Sequence, residues 1–233
     1  MALGLGIHTA PLTTPLKWKP TDGSLNSELL FWFKNNTGVS AAAWLDQSDN
    51  GNDATQSVSG RQPTVSEGGL LFDGSDDSLN LDSTISIAAS NDFALCIAVK
   101  MNNDNDNTII TGPADKIVLD STTRIAATVT ADGDQVQILM NSLSSLFTAA
   151  ASEKIWLVIQ RSDAGVFYVT NSKGRSVVAG GDSTGSLTLG TIGGISSDFF
   201  DGIILEMFMY SRILTKIELD NAEEYLGYKF NIS

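Results

Sequence analysis

The stretch from Leu187 to Phe230 leaves this chain the fewest choices. Over Gly202 to Tyr210, Ile203, Leu205, Met207 and Met209 alternate with Ile204, Glu206, Phe208 and Tyr210. Both sets are largely apolar, which predicts a central strand covered on its two faces. A helix follows at once, predicted over residues 216–229. Thr215 and Glu218 have the spacing of a capping box, and Leu214 and Leu219 stand at the two positions of a hydrophobic staple. Leu219, Ala222, Tyr225, Leu226 and Lys229 then recur at helical spacing, so one stripe must dock on another element.

Upstream the chain reads as many short strands. Leu29–Phe33 and Ala43–Leu45 are apolar, separated by the turn residues Asn35, Asn36, Thr37 and Gly38. From Phe93 come FALCIAVKM, TIITG, KIVLD, TRIAATVT, QVQILM, KIWLVIQRS, VFYVT and SLTLG. Turn signals such as Ala131-Asp132-Gly133-Asp134 and Asn171-Ser172-Lys173-Gly174 space them as an all-β sandwich requires. Residues 1–27 differ. They hold Pro11, Pro15 and Pro20 with little periodicity and read as an extended arm ahead of one domain over residues 28–233.

Three groups of residues carry a family resemblance. Gly202, Ile204 and Glu206, then Tyr210, Arg212, Leu214, Thr215 and Glu218, match the G-x-I-x-E strand and the Y-x-R-x-L-T/S-x-x-E helix entry of the concanavalin A-like, laminin-G-like jelly rolls. Trp44, Asp46, Ser48, Asn50, Gly51, Asn52 and Ala54 resemble that family's W-x-D-x-S-G-N-G-N-x-A, with Asp49 standing where the pattern has Gly. Phe72, Asp73, Gly74, Asp76, Asp77 and Leu79 resemble its F-D-G-x-D-D-x-L. The strands KIWLVIQRSDAGVFYVTNSKG also resemble a pair found there. The resemblance covers roughly residues 28–230. It implies an all-β, two-sheet antiparallel jelly-roll sandwich closed by one C-terminal α-helix, a fold that hosts many functions.

Composition removes several functions. The net charge of −13 leaves too few cations to neutralise phosphates, so nucleic acid is not an expected partner. No apolar run reaches the length of a membrane span. The first residues, MALGLGIHTA, carry no charged leader or adequate apolar segment, which predicts synthesis in the cytoplasm. The single Cys96, in FALCIAVK, reads as buried core and cannot form an internal disulfide.

Catalysis is not expected. Glycan cleavage needs two carboxylates across the scissile bond, and none of the seven glutamates opens an E-x-D-x-x-E or E-x-D-x-E motif. Glu206 lies inside a strong strand and reads as an oriented structural carboxylate. His8 lies in the arm, so no histidine serves a triad in the core, and one His with one Cys makes no zinc site. Gly190, Gly193 and Gly194 lack the Lys-Ser/Thr and helix start of a phosphate cradle.

Calcium remains. Oxygen ligands are offered by Asp46, Asn50 and Asn52, with Asp49 and Asp53, on one loop and by Asp73, Asp76 and Asp77 on another; Asn102–Asn107 (NNDNDN) offers a third set. Such loops also serve as plain turns. Sugar binding would use exposed aromatics, and the candidates are Trp18, Trp32, Phe199 and Phe200, while Trp44 and Trp156 read as core.

The first functional expectation is a non-catalytic virion structural protein of a tailed bacteriophage. It would sit in many copies on the capsid or tail surface, as decoration or attachment protein, bound to shell proteins through residues 1–27. The alternative is a lectin-like module that recognises cell-surface glycans with or without calcium.

Overall fold

A computed structural model describes residues 18–102, 107–120, 126–131, 134–138, 153–172, 174–178, 185–196 and 198–232. In chain order its strands are β1 (Leu29–Phe33), β2 (Val39–Ser40), β3 (Ala43–Trp44), β4 (Ala54–Thr55), β5 (Thr64–Ser66), β6 (Gly69–Asp73), β7 (Leu79–Ile87) and β8 (Phe93–Met101). They continue as β9 (Asn107–Thr111), β10 (Lys116–Asp120), β11 (Ala126–Ala131), β12 (Asp134–Ile138), β13 (Lys154–Arg161), β14 (Phe167–Asn171), β15 (Gly174–Val178), β16 (Leu187–Ile192), β17 (Gly194–Ile195), β18 (Asp198–Phe199) and β19 (Asp201–Tyr210). The helix α1 (Lys216–Phe230) follows β19.

Two antiparallel sheets result. One runs β15-β14-β13-β8-β19-β6-β5, with β1 also paired to β19; the other runs β12-β11-β10-β9-β16-β7-β4-β3-β2. β17 and β18 pair only with each other among the described residues. The sandwich and its closing helix are those the sequence implies.

β19 is the axis of the first sheet. One edge pairs with β8, while the other pairs with β6 over Asp201–Ile204 and with β1 over Met207–Tyr210. The alternation seen in the sequence does not run through it unbroken. Ile204 lies opposite Val99 and Glu206 opposite Ala98, so Leu205 is an extra residue without a partner on β8. This bulge reverses the parity of everything after it. Ile204, Met207 and Met209 enter the core between the sheets, whereas Ile203, Leu205, Phe208 and Tyr210 face the helix. The expected grouping of Leu205 with Met207 and Met209 is thereby corrected.

The first sheet is covered on both faces. Between the sheets, Phe31, Phe33, Trp44, Phe72, Phe93 and Phe167 are fully buried; Phe31 stacks on Phe33, Trp44 meets Phe33 at a tilt, and Phe93 meets Phe167 edge-on. On the outer face, α1 lays Ala222, Leu226 and Phe230 against Cys96, Trp156, Phe208 and their neighbours. The helix starts as its residues require. The Thr215 side chain accepts from the Glu218 backbone N–H, Glu218 accepts from the Thr215 N–H at 2.8 Å, and Leu214 is buried. Arg212 clamps Glu218 with two nitrogens, and that pairing holds the Glu218 carboxyl down at about 2.

The expected arm over residues 1–27 needs a correction at its C-terminal part. Gly23–Glu28 forms a 3-10 helix that buries Leu25. Trp18 meets Tyr225 edge-on at 5.6 Å and Phe208 at 6.3 Å, and the Pro20 carbonyl accepts from the Tyr210 hydroxyl at 3.0 Å. The apolar area of Trp18 and Leu25 finds a partner on the outer face, so this segment docks instead of extending. Residues 1–17, with His8, Pro11 and Pro15, lie outside the described residues, as do positions 103–106 of the NNDNDN stretch and parts of both quoted turns.

Candidate functional site

The loop carrying Asp46 is a strand-tying device. Asp46 Oδ1 accepts from the backbone N–H groups of Trp32 and Ser48, each at 2.8 Å. Its Oδ2 accepts from the Ser48 hydroxyl at 2.6 Å and the Asn52 N–H at 3.0 Å, while the Asp46 N–H donates to Asp53 at 2.8 Å. Asn50 and Asn52 turn their amide NH2 groups toward the carbonyls of Leu29 and Leu30. Both lone pairs of each Asp46 oxygen are in use, and the two asparagines act as donors. These three calcium candidates therefore hold β1 in place.

Asp73, Asp76 and Asp77 do converge. Among the described residues they are the group of His, Cys or acidic side chains whose ligand atoms lie within 4.8 Å of one another. Asp73 Oδ1 accepts from the Ser75 N–H at 2.9 Å, and Asp77 Oδ2 from the Asp73 N–H at 3.1 Å, so part of the cluster is a turn. Burial first, and the charge of Asp73 second, push the Asp77 carboxyl up from its ordinary range. Asp201 lies opposite Asp73 in the β19–β6 pair and accepts from the Asn102 amide at 2.9 Å. Its own N–H donates to Asn107 at 2.8 Å. Asn102 and Asn107, the two described ends of the third set, thus lie beside the second set at one end of the sandwich, a relation invisible in the sequence because the residues are far apart along the chain.

Glu206 is fully buried and saturated. Its Oε1 accepts from Trp32 Nε1 at 2.8 Å and the Tyr225 hydroxyl at 2.7 Å, and its Oε2 accepts from the Asn35 N–H at 3.1 Å and from Lys229 Nζ. Burial, and next to it the Glu206 charge, push the Tyr225 hydroxyl up. This carboxylate ties β1, β19 and α1 together and is out of reach of a substrate. The aromatic candidates are also committed. Trp32, Trp44 and Trp156 are buried, Phe200 is buried edge-on to Phe72, Phe199 is half-buried, and Trp18 packs as described. Cys96 is buried, and desolvation drives its thiol well above the usual range, so it is inert core.

A feature the sequence did not single out lies on the outer face of the second sheet. β9 carries a bulge of its own. Ile110 pairs with Ile117 and Thr108 with Val118, leaving Ile109 extra. Ile109 and Ile110 both enter the core, and Thr108 and Thr111 fall on the other face. There they line a cleft of about 190 Å³ with Gly112, Asp115, Lys116 and Ser196. The turn beneath it is tight. The Gly112 N–H donates to the Asp115 carbonyl at 2.8 Å, the Thr111 hydroxyl donates to the same turn, and Asp115 Oδ2 accepts from the Thr188 N–H at 2.6 Å. A side chain at Gly112 would place its Cβ 1.9 Å from the Thr188 carbonyl oxygen, so glycine is required for this approach. Thr108 is 1% exposed and its hydroxyl has no hydrogen-bond partner among the described residues.

No protein-family model and no curated protein matches the chain. Its fold does match solved structures. Domain 4 of AbnA, a GH43 extracellular arabinanase from Geobacillus stearothermophilus, in complex with arabinotriose, is 14% identical with a TM-score of 0.59, covering 84% of this chain and 98% of that one. The botulinum neurotoxin serotype D ligand-binding domain in complex with N-acetylneuraminic acid is 13% identical with a TM-score of 0.61, covering 88% of this chain. The sialidase of Trypanosoma rangeli is 13% identical with a TM-score of 0.57, covering 87%. The chain spans 51% of that neurotoxin chain and 33% of the sialidase. The architecture is the concanavalin A-like sandwich fold shared with these structures.

Proposed function

We propose that this chain is a non-catalytic, glycan-binding module. The observation that carries the reading is the end-to-end match with an arabinotriose-bound domain, 98% of which is covered by this sandwich. The buried, four-fold hydrogen-bonded state of Glu206 supports a module without hydrolytic chemistry, because the carboxylate that lies inside the strongest strand is spent on structure. Virion display, the first sequence-based expectation, draws no support from these neighbours, and the glycan-binding alternative takes its place.

The test is a glycan array followed by calorimetric titration, run with calcium and with chelator. The expected result is saturable binding of at least one glycan class with no release of reducing ends on prolonged incubation. Failure to retain any glycan overturns the reading, and turnover overturns its non-catalytic part.

A further inference from the structure

We propose that Asn50-Gly51 is a self-modification site, at which water alone converts the asparagine side chain to a carboxylate and so removes a tie that holds β1. The inference stands apart from the glycan-binding reading and begins with the sequence. Asn50-Gly51 is the one Asn-Gly pair in the chain. Glycine has no Cβ to keep its backbone nitrogen away from the preceding side chain, so this pair closes into a five-membered ring more readily than any other asparagine pair. The structure leaves the pair open. Asn50 and Gly51 are both exposed, and Gly51 holds a left-handed φ of 65° with nothing within 4 Å of where a Cβ would stand. The Gly51 N–H, which carries the nucleophile, has no hydrogen-bond partner among the described residues. The N–H groups on either side of it are engaged, that of Asn50 by Ser48 Oγ and that of Asn52 by Asp46.

The reaction balances with water as its only co-reactant. The Gly51 nitrogen adds to Asn50 Cγ; the new N–Cγ bond forms as the Cγ–Nδ2 bond breaks, and the Gly51 amide proton departs with that nitrogen as ammonia. Water then adds across one of the two C–N bonds of the cyclic imide. Opening at the side-chain carbon gives aspartate, and opening at the main-chain carbon gives isoaspartate, with an extra methylene in the backbone. Nothing is oxidised or reduced. Asn50 Nδ2 donates to the Leu29 carbonyl and lies 3.3 Å from Ser48 Oγ. The carboxamide must leave these partners to react, so the rate in the folded chain follows how often this loop opens.

Both products lose the donor. An NH2 group facing the Leu29 carbonyl becomes a carboxylate facing it, and two acceptors so placed repel each other. The new charge also joins Asp46, Asp49 and Asp53 on one loop, and Asp46 is the residue through which that loop holds the Trp32 N–H. Isoaspartate goes further. Its longer backbone displaces Asn52, whose N–H and amide engage Asp46 and the Leu30 carbonyl. Ammonia is lost to solvent, so each molecule that reacts keeps a loosened β1, and the loop carries a one-way change that advances with time.

The experiment incubates the full chain at mildly alkaline pH, native and in urea, and maps the products by peptide mass spectrometry, with isoaspartyl methyltransferase labelling as a second readout. The native chain is expected to gain the mass of an amide-to-acid conversion at Asn50 ahead of every other asparagine, several-fold more slowly than the unfolded chain. Gly51→Ala leaves the Asn50 tie in place and adds a Cβ into open space, so it should fold with only the modest strain of its φ and slow the conversion many-fold. Asn50→Asp, the direct product, is expected to lower Tm and to speed hydrogen exchange over Leu29–Phe33. A native chain that stays unconverted at Asn50 while the unfolded chain converts, or that converts first elsewhere, overturns the site. Unchanged conversion in Gly51→Ala overturns the cyclic-imide route. Asn50→Asp with the Tm and exchange of wild type overturns the loosening of β1.

Discussion

Glu206→Gln isolates the device that joins the two layers around β19. The substitution keeps shape and volume but replaces one of two accepting oxygens by an NH2 group. If the amide nitrogen takes the place of Oε1, Trp32 Nε1–H and the Tyr225 hydroxyl lose their acceptor; if it takes the place of Oε2, the Asn35 N–H and Lys229 lose theirs. Either orientation forfeits two hydrogen bonds to a charged group, each about 1.5–3 kcal/mol. Lys229 is 24% exposed, so its ammonium recovers part of its hydration. The loss is therefore expected near the lower end of the range for breaking a buried pair, about 3–4 kcal/mol. Urea unfolding followed by tryptophan fluorescence measures it directly, and for a chain of this size Tm should fall by about 6–15 °C. Lys229→Met leaves Glu206 three donors but a buried charge without its cation, and should cost at least as much. A Glu206→Gln loss below about 1 kcal/mol, the scale of a surface ion pair, would refute the argument.

Gly202→Ala should abolish soluble expression or cost well over 3 kcal/mol, since its Cβ would sit 2.3 Å from the Lys100 carbonyl oxygen at a φ of 147°; measured yield and urea midpoint check it. Asp46→Ala removes four hydrogen bonds from one loop and is expected to cost about 2–4 kcal/mol, equally with calcium and with chelator, which thermal melts in the two buffers separate. Glu218 has its folded pKa pressed below its unfolded value, so its stabilisation is complete above pH of roughly 4.5 and fades as pH falls toward about 2. Thr215→Ala should cost about 1 kcal/mol at neutral pH, and Glu218→Gln should flatten the acid limb of a Tm-versus-pH curve. Asp77 is displaced the opposite way. Its raised carboxyl opposes folding at neutral pH, and Asp77→Asn in chelator is expected to raise Tm.

The parts of the fold that were legible in the sequence share one property: each is written in neighbouring residues. The capping box at Thr215–Glu218, the strand Phe93–Met101 and the two-faced strand at β19 each need only a local window. The glycine of G-x-I-x-E is legible as a motif, and its reason, the approach of the Lys100 carbonyl, is not. The bulges were hidden for a physical reason. A one-residue shift can be read from sequence only where the two faces of a strand differ in polarity. In β19 both faces are apolar, so moving Met207 and Met209 to the core side leaves no trace except Glu206, whose partners Trp32, Asn35, Tyr225 and Lys229 lie in and just after β1 and in α1.

The same reasoning explains why the candidate site escaped notice while the acidic loops did not. Asx-rich loops advertise ligand oxygens whether or not those oxygens are free, and at Asp46 the backbone amides had already taken them. Thr108, in contrast, belongs to the unremarkable run Asn107–Thr111, where a regular alternation would have set Ile109 and Ile110 on opposite faces. The bulge at Ile109 sends both isoleucines into the core and leaves two threonines on the outer face, beside a turn held shut by Gly112 and Asp115. A register irregularity thus converts a strand of ordinary composition into a polar wall with one buried hydroxyl left to satisfy.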